Sequence, residues 1–133
     1  MKNSIFRLPP KYFISYEYGG SDFTGCDCYG FVQLFYREEL GINLIDFPRV
    51  GTNRTNLPED YVRNRQSFEF DKVEFPQNYD VAFMFNFSGA PSHVGVFMQN
   101  SIIHALEKCG VVVQEARLLK NKIISFHRYR GIK

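Results

Sequence analysis

A chain of 133 residues, 44% hydrophobic and 17% aromatic, has the size and composition of one globular domain over 1–133 that buries about two-thirds of its unfolded surface. Its net charge of +2 gives no general attraction for a polyanion, so no nucleic-acid partner is expected. Three cysteines, an odd number, argue against a disulfide framework, and no apolar run is long enough to span a membrane.

Residues 1–25 contain Pro9-Pro10, an aromatic stretch ending at Tyr18-Gly19-Gly20, and a turn-rich segment over 21–25. That composition predicts a loop-dominated lead-in. The first residues lack the continuous apolar core of a secretory signal. The expectation is therefore synthesis in a reducing compartment, with delivery to any outside target by a route that needs no signal.

Asp27-Cys28-Tyr29-Gly30-Phe31 opens the most informative stretch. Cys28, Phe31, Val32, Phe35 and Leu40 recur at helical spacing, Asp27 suits an N-cap, and Gly41 suits the position past a helix end. These features predict a helix over 28–40 with Cys28 in its first turn. Backbone N–H groups and the positive end of the helix dipole favour a thiolate there, and such thiols ionise at about 3.5–7.5 rather than about 8.5. A cysteine packed as a small hydrophobe fits the same segment, which by itself leaves both readings open.

Residues 42–79 are the least regular, with Pro48, Pro58 and Pro76 and a short helix expected from Pro58. Long irregular segments usually carry function or cover a groove, and 49–79 is where specificity is expected to be encoded. From residue 80 the pattern turns to strands over 81–87, 93–98, 101–106, 111–115 and 123–129. Short connections at Gln99-Asn100 and Cys109-Gly110 predict antiparallel hairpins. Lys120, Lys122, Arg128, Arg130 and Lys133 alternate with apolar residues and read as the wet face of the last strand. One helix followed by a meandering antiparallel sheet is an α+β layout.

A thiolate nucleophile needs a histidine beside it and a third group to orient that histidine. The candidates are His93, His104 and His127. With a two-residue turn at Gln99-Asn100, residue 95 pairs with 104, and His93 and His104 become diagonal neighbours on one face, about 7–8 Å apart at the backbone. Gly95 then leaves room between the rings; a three-residue turn would separate them. His127 sits in Ser125-Phe126-His127-Arg128-Tyr129, an ordinary amphipathic alternation. A zinc site from Cys26, Cys28, His93 and His104 is a weaker reading, because Cys-x-Cys is narrower than structural zinc spacings. No metal and no cofactor are expected, and Cys109 reads as a bystander thiol.

Six blocks in order resemble the NlpC-type cysteine peptidases, small papain-like enzymes that cut peptidoglycan stem peptides. Tyr16-Glu17-Tyr18-Gly19-Gly20 resembles the family's Y-x-W/Y-G-G, and Gly25-Cys26-Asp27-Cys28-Tyr29-Gly30-Phe31-Val32-Gln33 its G-x-D-C-S-G-F-V-Q. Phe47-Pro48-Arg49 resembles L-P-R, and Asp80-Val81-Ala82-Phe83-Met84-Phe85 resembles G-D-L-V-F-F without its glycine, which is Tyr79 here. Ser92-His93-Val94-Gly95-Val96-Phe97 resembles S-H-V-G-I-Y, and Ile103-His104-Ala105 resembles I-H-A. The resemblance implies a papain-like α+β fold, with the helix that carries the nucleophile packed on an antiparallel sheet.

By the same resemblance Cys28 is the nucleophile, His93 the general base and then acid, and His104 the group that orients His93. Tyr16, with Asp27 and Tyr29 flanking Cys28, is placed in the substrate and oxyanion region. Tyr29 stands where the family has a small serine, which alters the pocket wall. The implied substrate is a peptidoglycan stem peptide, cut between D-γ-glutamyl and a diamino acid. The implied partners are phage-tail or secretion-machine proteins that carry the enzyme to the wall, an inference by analogy. Two other classes stay open: a catalytically silent module of a tail assembly, and an amidase or acyltransferase with Tyr29 and the phenylalanines of 83–87 lining an apolar pocket.

Overall fold

The helix expected at Cys28 is α1 (Cys28–Leu40), and it forms for local reasons. Asp27 caps its start, with extended backbone and Oδ1 accepting the Gly30 N–H at 2.7 Å. Gly41, at φ 68°, ends it with its N–H on the Arg37 carbonyl. The coordinates are those of a computed structural model that describes residues 6–45, 69–86 and 88–131. Phe47-Pro48-Arg49, the helix expected from Pro58, Phe87 and Lys133 lie outside the described residues.

Residues 28–36 are buried on every side, more than a single apolar stripe would give. The reason is that α1 is covered from two directions. On one side lies the lead-in, which is more ordered than its composition predicts. It holds a 3₁₀ turn (Pro10–Tyr12) and a two-stranded ribbon of β1 (Ser21–Asp22) and β2 (Gly25–Cys26). Tyr12 packs edge-on against Phe31 and tilts onto Phe35, with ring centroids 5.9 and 5.2 Å apart.

On the other side lies an antiparallel sheet of β3 (Phe70–Val73), β4 (Val81–Met84), β5 (His93–Met98), β6 (Ser101–Leu106), β7 (Gly110–Glu115) and β8 (Ile123–Tyr129). Their spatial order is β3-β8-β4-β5-β6-β7. The sheet is thus not a plain meander, because β8 returns to lie between β3 and β4. The strand from residue 81 stops at Met84, just past a shift of its register against β8 between Phe83 and Met84, and Phe85 and Asn86 lie beyond it. The second hairpin turns over residues 107–109, and Gly110, at φ 77°, is already paired with Leu106.

Alternation divides the sheet into two faces. Val81, Phe83, Val94, Val96, Ile103, Ala105 and Val111 join the α1 core. Ala82, Met84, Phe97 and Ile102 face the other way and are covered by Leu119 from the 3₁₀ turn (Ala116–Leu119) between β7 and β8.

Two residues depart from what their sequence neighbourhood predicts. Arg128 is not on a solvated face: it holds the fully buried Asp80 with two bonds, Nε to Oδ1 at 2.9 Å and a terminal guanidinium nitrogen to Oδ2 at 2.7 Å. The inner position of β8 brings it there. Tyr79 has φ 77°, the left-handed conformation that glycine adopts at least cost. Its carbonyl accepts the Tyr36 hydroxyl and its N–H donates to the Phe97 carbonyl, bonds that hold a bulky residue in that conformation. No helix among the described residues is long and apolar enough to cross a membrane.

Candidate active site

Gln99 and Asn100 have φ 50° and 62°, the two positive values of the tightest hairpin turn. This turn sets β5 against β6 as Met98↔Ser101, Phe97↔Ile102 and Val96↔Ile103. Continuing that register puts Gly95 across from His104 and His93 on the diagonal. The two imidazoles meet there, with His93 Nε2 2.8 Å from His104 Nδ1 and ring centroids 5.1 Å apart.

The contact continues through a residue that sequence reasoning missed. His104 Nε2 lies 2.7 Å from Oε1 of Gln114 on β7. The β6–β7 register pairs His104 with Val112 and Ile102 with Gln114, so Gln114 shares the face of His104 one diagonal step away. The parity rule that joins His93 to His104 would have found Gln114 had the turn been placed at 107–109. His93 and His104 are both buried, at 7% and 3% exposure. Burial pushes both well below the ordinary histidine range, and His104 and Lys122 push His93 further, while the Gln114 bond partly offsets the fall for His104. Near neutral pH both rings are uncharged.

Cys28 comes to this region through the lead-in. The Ile14 carbonyl accepts the Val111 N–H at 3.0 Å, the Ser15 carbonyl accepts the Cys26 N–H at 3.2 Å, and the Cys26 carbonyl accepts the Glu17 N–H at 3.0 Å. These bonds tie the approach to α1 to the start of β7. Because neighbouring strands are antiparallel, that end of the sheet is also where β5 begins with His93 and where β6 ends just beyond His104. The first turn of α1 and the histidine pair therefore lie toward the same end of the sheet, while alternation sets His93 and His104 on the face of Met84, Phe97 and Ile102 rather than on the face that joins the α1 core. Cys28 is buried, at 2% exposure. Its neighbour Cys26 is fully buried, and burial, reinforced by the Asp27 charge, pushes that thiol up to about 12. Two cysteines two residues apart thus differ in setting: Cys26 is held protonated in a strand, and Cys28 stands at a helix start.

The remaining expected site residues have structural partners. Asp27 accepts the Gly30 N–H on Oδ1 and the Gly19 N–H, at 2.8 Å, on Oδ2, so its carboxylate fixes the helix start to the Gly19 turn. The Tyr29 hydroxyl donates to the Ile45 carbonyl at 2.7 Å, clamping the chain that leaves α1. Tyr16 is half-buried, bridged to Cys26 and packed on the α1 core. His127 lies on β8 with Nε2 2.7 Å from the Ser125 hydroxyl and its ring edge-on to Phe83, apart from the other two histidines. Among the described residues no group of three or more His, Cys, Asp and Glu side chains is spaced to hold a metal ion.

Comparison with known proteins places the chain among relatives. A model of the NlpC/P60 family matches residues 14–128. The murein DD-endopeptidase MepS/murein LD-carboxypeptidase of Escherichia coli K12 is 28% identical over 101 residues, which are 75% of this chain and 46% of that protein. The protein of that name from Escherichia coli O157:H7 matches equally, at 28%. The chain thus spans about half the length of these curated relatives. Among solved structures, the NlpC/p60 domain of the peptidoglycan hydrolase SagA has a TM-score of 0.62 at 20% identity, covering 90% of this chain and 89% of that one. A lipoprotein-like NLP/P60 family protein of Staphylococcus aureus Mu50 has a TM-score of 0.59 at 20% identity, covering 97% of this chain and 45% of that one. Both likenesses are to the fold, one helix on an antiparallel sheet.

Proposed function

Because the chain belongs to the NlpC/P60 family, we propose that it is a cysteine peptidase that hydrolyses an amide bond in peptidoglycan stem peptides. The observation that carries this reading is the contact chain from buried His93 through buried His104 to half-buried Gln114, in a protein whose helix α1 begins with Cys28. The names of the relatives, a murein endopeptidase and a peptidoglycan hydrolase, support murein as the substrate class.

In this mechanism His93 acts through Nδ1, because its Nε2 is engaged with His104. The Cys28 thiol proton passes to Nδ1 as the sulfur bonds to the amide carbonyl carbon. The carbonyl oxygen becomes an oxyanion, and the backbone N–H of Cys28 is the donor assigned to it, with Tyr16 beside it. A donor of this kind is worth about 2.7–4 kcal/mol. The C–N bond then breaks and His93 gives its proton to the departing amine, leaving a thioester. Water, losing a proton to His93, attacks the thioester carbonyl, and the Cys28 sulfur leaves and recovers the proton. His104 holds the His93 ring through both half-reactions.

The bond proposed is the one between D-γ-glutamyl and a diamino acid. Carriage by a phage tail or a secretion machine belongs to the same proposal and is tested by searching purified virions and culture supernatant for the protein. Phe83 packs in the α1 core and the Tyr29 hydroxyl bonds the Ile45 carbonyl, so neither supplies an argument for an acyl-binding pocket. Defined muropeptides incubated with the protein and with Cys28→Ala, then read by mass spectrometry, test the reading. A cleavage product that vanishes in Cys28→Ala is expected and identifies the bond. Absence of product from every stem peptide overturns the murein assignment.

A further inference from the structure

We propose that Gln114 is a positioning residue that fixes the protons of the two histidines so that His93 presents a bare Nδ1. The inference rests on the reading of His93 as the base. Histidine has a weakness as an orienting group. An imidazole has one N–H and one lone pair when neutral, and either ring of a neutral pair can donate across a shared contact. Across the 2.8 Å contact between His93 Nε2 and His104 Nδ1, two arrangements compete. In the first, His93 carries its proton on Nε2 and donates to His104, which leaves His93 Nδ1 free to accept the thiol proton. In the second, His104 carries its proton on Nδ1 and donates to His93. His93 then holds its own proton on Nδ1 and cannot act as a base.

Gln114 separates the two. Its Oε1 is an acceptor only, and it lies 2.7 Å from His104 Nε2. The first arrangement puts a proton on His104 Nε2, so the contact is a hydrogen bond. The second leaves a lone pair on Nε2 facing the lone pairs of Oε1, a repulsion relieved only if the half-buried amide turns over to present its N–H2. The amide thus selects the productive arrangement two residues away from the reacting sulfur. His104 from β6 and Lys122 from the turn before β8 act on His93, joined in the proposed mechanism by the Cys28 thiol, and the neutral Gln114 acts on His104. Within this set Gln114 is the group that distinguishes one tautomer from the other.

The test uses the full chain and three forms: wild type, Gln114→Leu, which removes the acceptor, and Gln114→Glu, which keeps it. ¹⁵N NMR of the imidazoles near neutral pH is expected to show His104 protonated at Nε2 and both Nδ1 atoms bare in wild type and in Gln114→Glu, and a mixture of tautomers in Gln114→Leu. On a stem peptide, kcat of Gln114→Leu is expected to fall about tenfold, the worth of one net hydrogen bond, with KM within about twofold. Gln114→Glu is expected to restore kcat, and its carboxylate, by stabilising the protonated pair, to move the histidine limb of the pH profile upward. A wild-type His104 bare at Nε2, or a Gln114→Leu variant with unchanged tautomers, overturns the proposal while leaving the peptidase reading intact. If no stem peptide is cleaved but the tautomers shift in Gln114→Leu, the peptidase reading falls and the proton-fixing role of Gln114 stands.

Discussion

Gly95 meets His104 so closely that a Cβ added to the glycine would lie 2.9 Å from the His104 Cβ, 2.8 Å from Ile102 Cγ2 and 2.9 Å from the Ile103 carbonyl oxygen. A side-chain terminus could turn aside, but a strand carbonyl and a Cβ move only with the backbone. Gly95→Ala must therefore push β6 away from β5 at the point where the imidazoles touch. Overpacking of this kind costs about 1–3 kcal/mol. Small misplacements of catalytic groups cost up to about a hundredfold in rate. The expected outcome is a lower urea midpoint together with a kcat/KM reduced at least tenfold, read by unfolding curves and stem-peptide hydrolysis on the same preparation.

The histidine pair also makes stability depend on pH. Both rings have folded values below the ordinary histidine range because of burial, and His127 on β8 is lowered for the same first reason. Well above pH 6.5 these groups are neutral in folded and unfolded chains alike and contribute little slope. Below it the unfolded chain takes up protons that the folded chain refuses, so stability falls as pH falls. Each fully shifted histidine contributes about 1.4 kcal/mol per pH unit in that window. Urea midpoints at pH 7.5, 6.5 and 5.5 are expected to fall slightly over the first step and several times more over the second. In His104→Asn the second drop is expected to be shallower; an equal drop would refute the assignment to this pair.

The parts of this fold that sequence made legible are those set by short-range rules. The Asp27 and Gly41 caps bracket α1 because capping is local chemistry, and the turn at Gln99-Asn100 is signalled by Asn100, a residue type that tolerates positive φ. Once that turn is placed, period-two alternation carries His93 to His104 with no further information. What depended on distant partners was not legible. The chain has no local signal that β8 inserts between β3 and β4, so Arg128 read as a surface cation. The ribbon at 21–26 is held by the Ser15 carbonyl, which accepts the Cys26 N–H, and by Arg37 of α1, which donates to the Ser21 carbonyl, neither of which a two-residue strand announces. Gln114 was missed through a one-residue error in the second hairpin, where Gly110 reads as turn but pairs as strand.

The Asp80–Arg128 pair offers a separation of stability from activity. Asp80 is fully buried, and besides Arg128 it accepts the Gln77 N–H at 2.7 Å. Arg128 also donates to the Phe75 carbonyl at 3.2 Å, so one guanidinium ties β8 both to β4 and to the loop before it. Removing the cation leaves a carboxylate without water or counter-charge, a loss of about 3–5 kcal/mol. Arg128→Met is therefore expected to be strongly destabilised. Asp80→Asn, which removes the charge as well as the pair, should cost less, and Asp80→Asn with Arg128→Met should be more stable than Arg128→Met alone. The pair sits at the start of β4 and the end of β8, while His93 pairs with Met84 at the far end of β4. Disturbance there reaches the imidazoles only through the length of the sheet. Where Asp80→Asn remains folded, its stem-peptide kcat per folded molecule is expected to stay within about twofold of wild type, the near-additivity seen for distant sites. A loss of activity matching that of Gly95→Ala would instead mean that the sheet transmits strain along β4 from one end to the other.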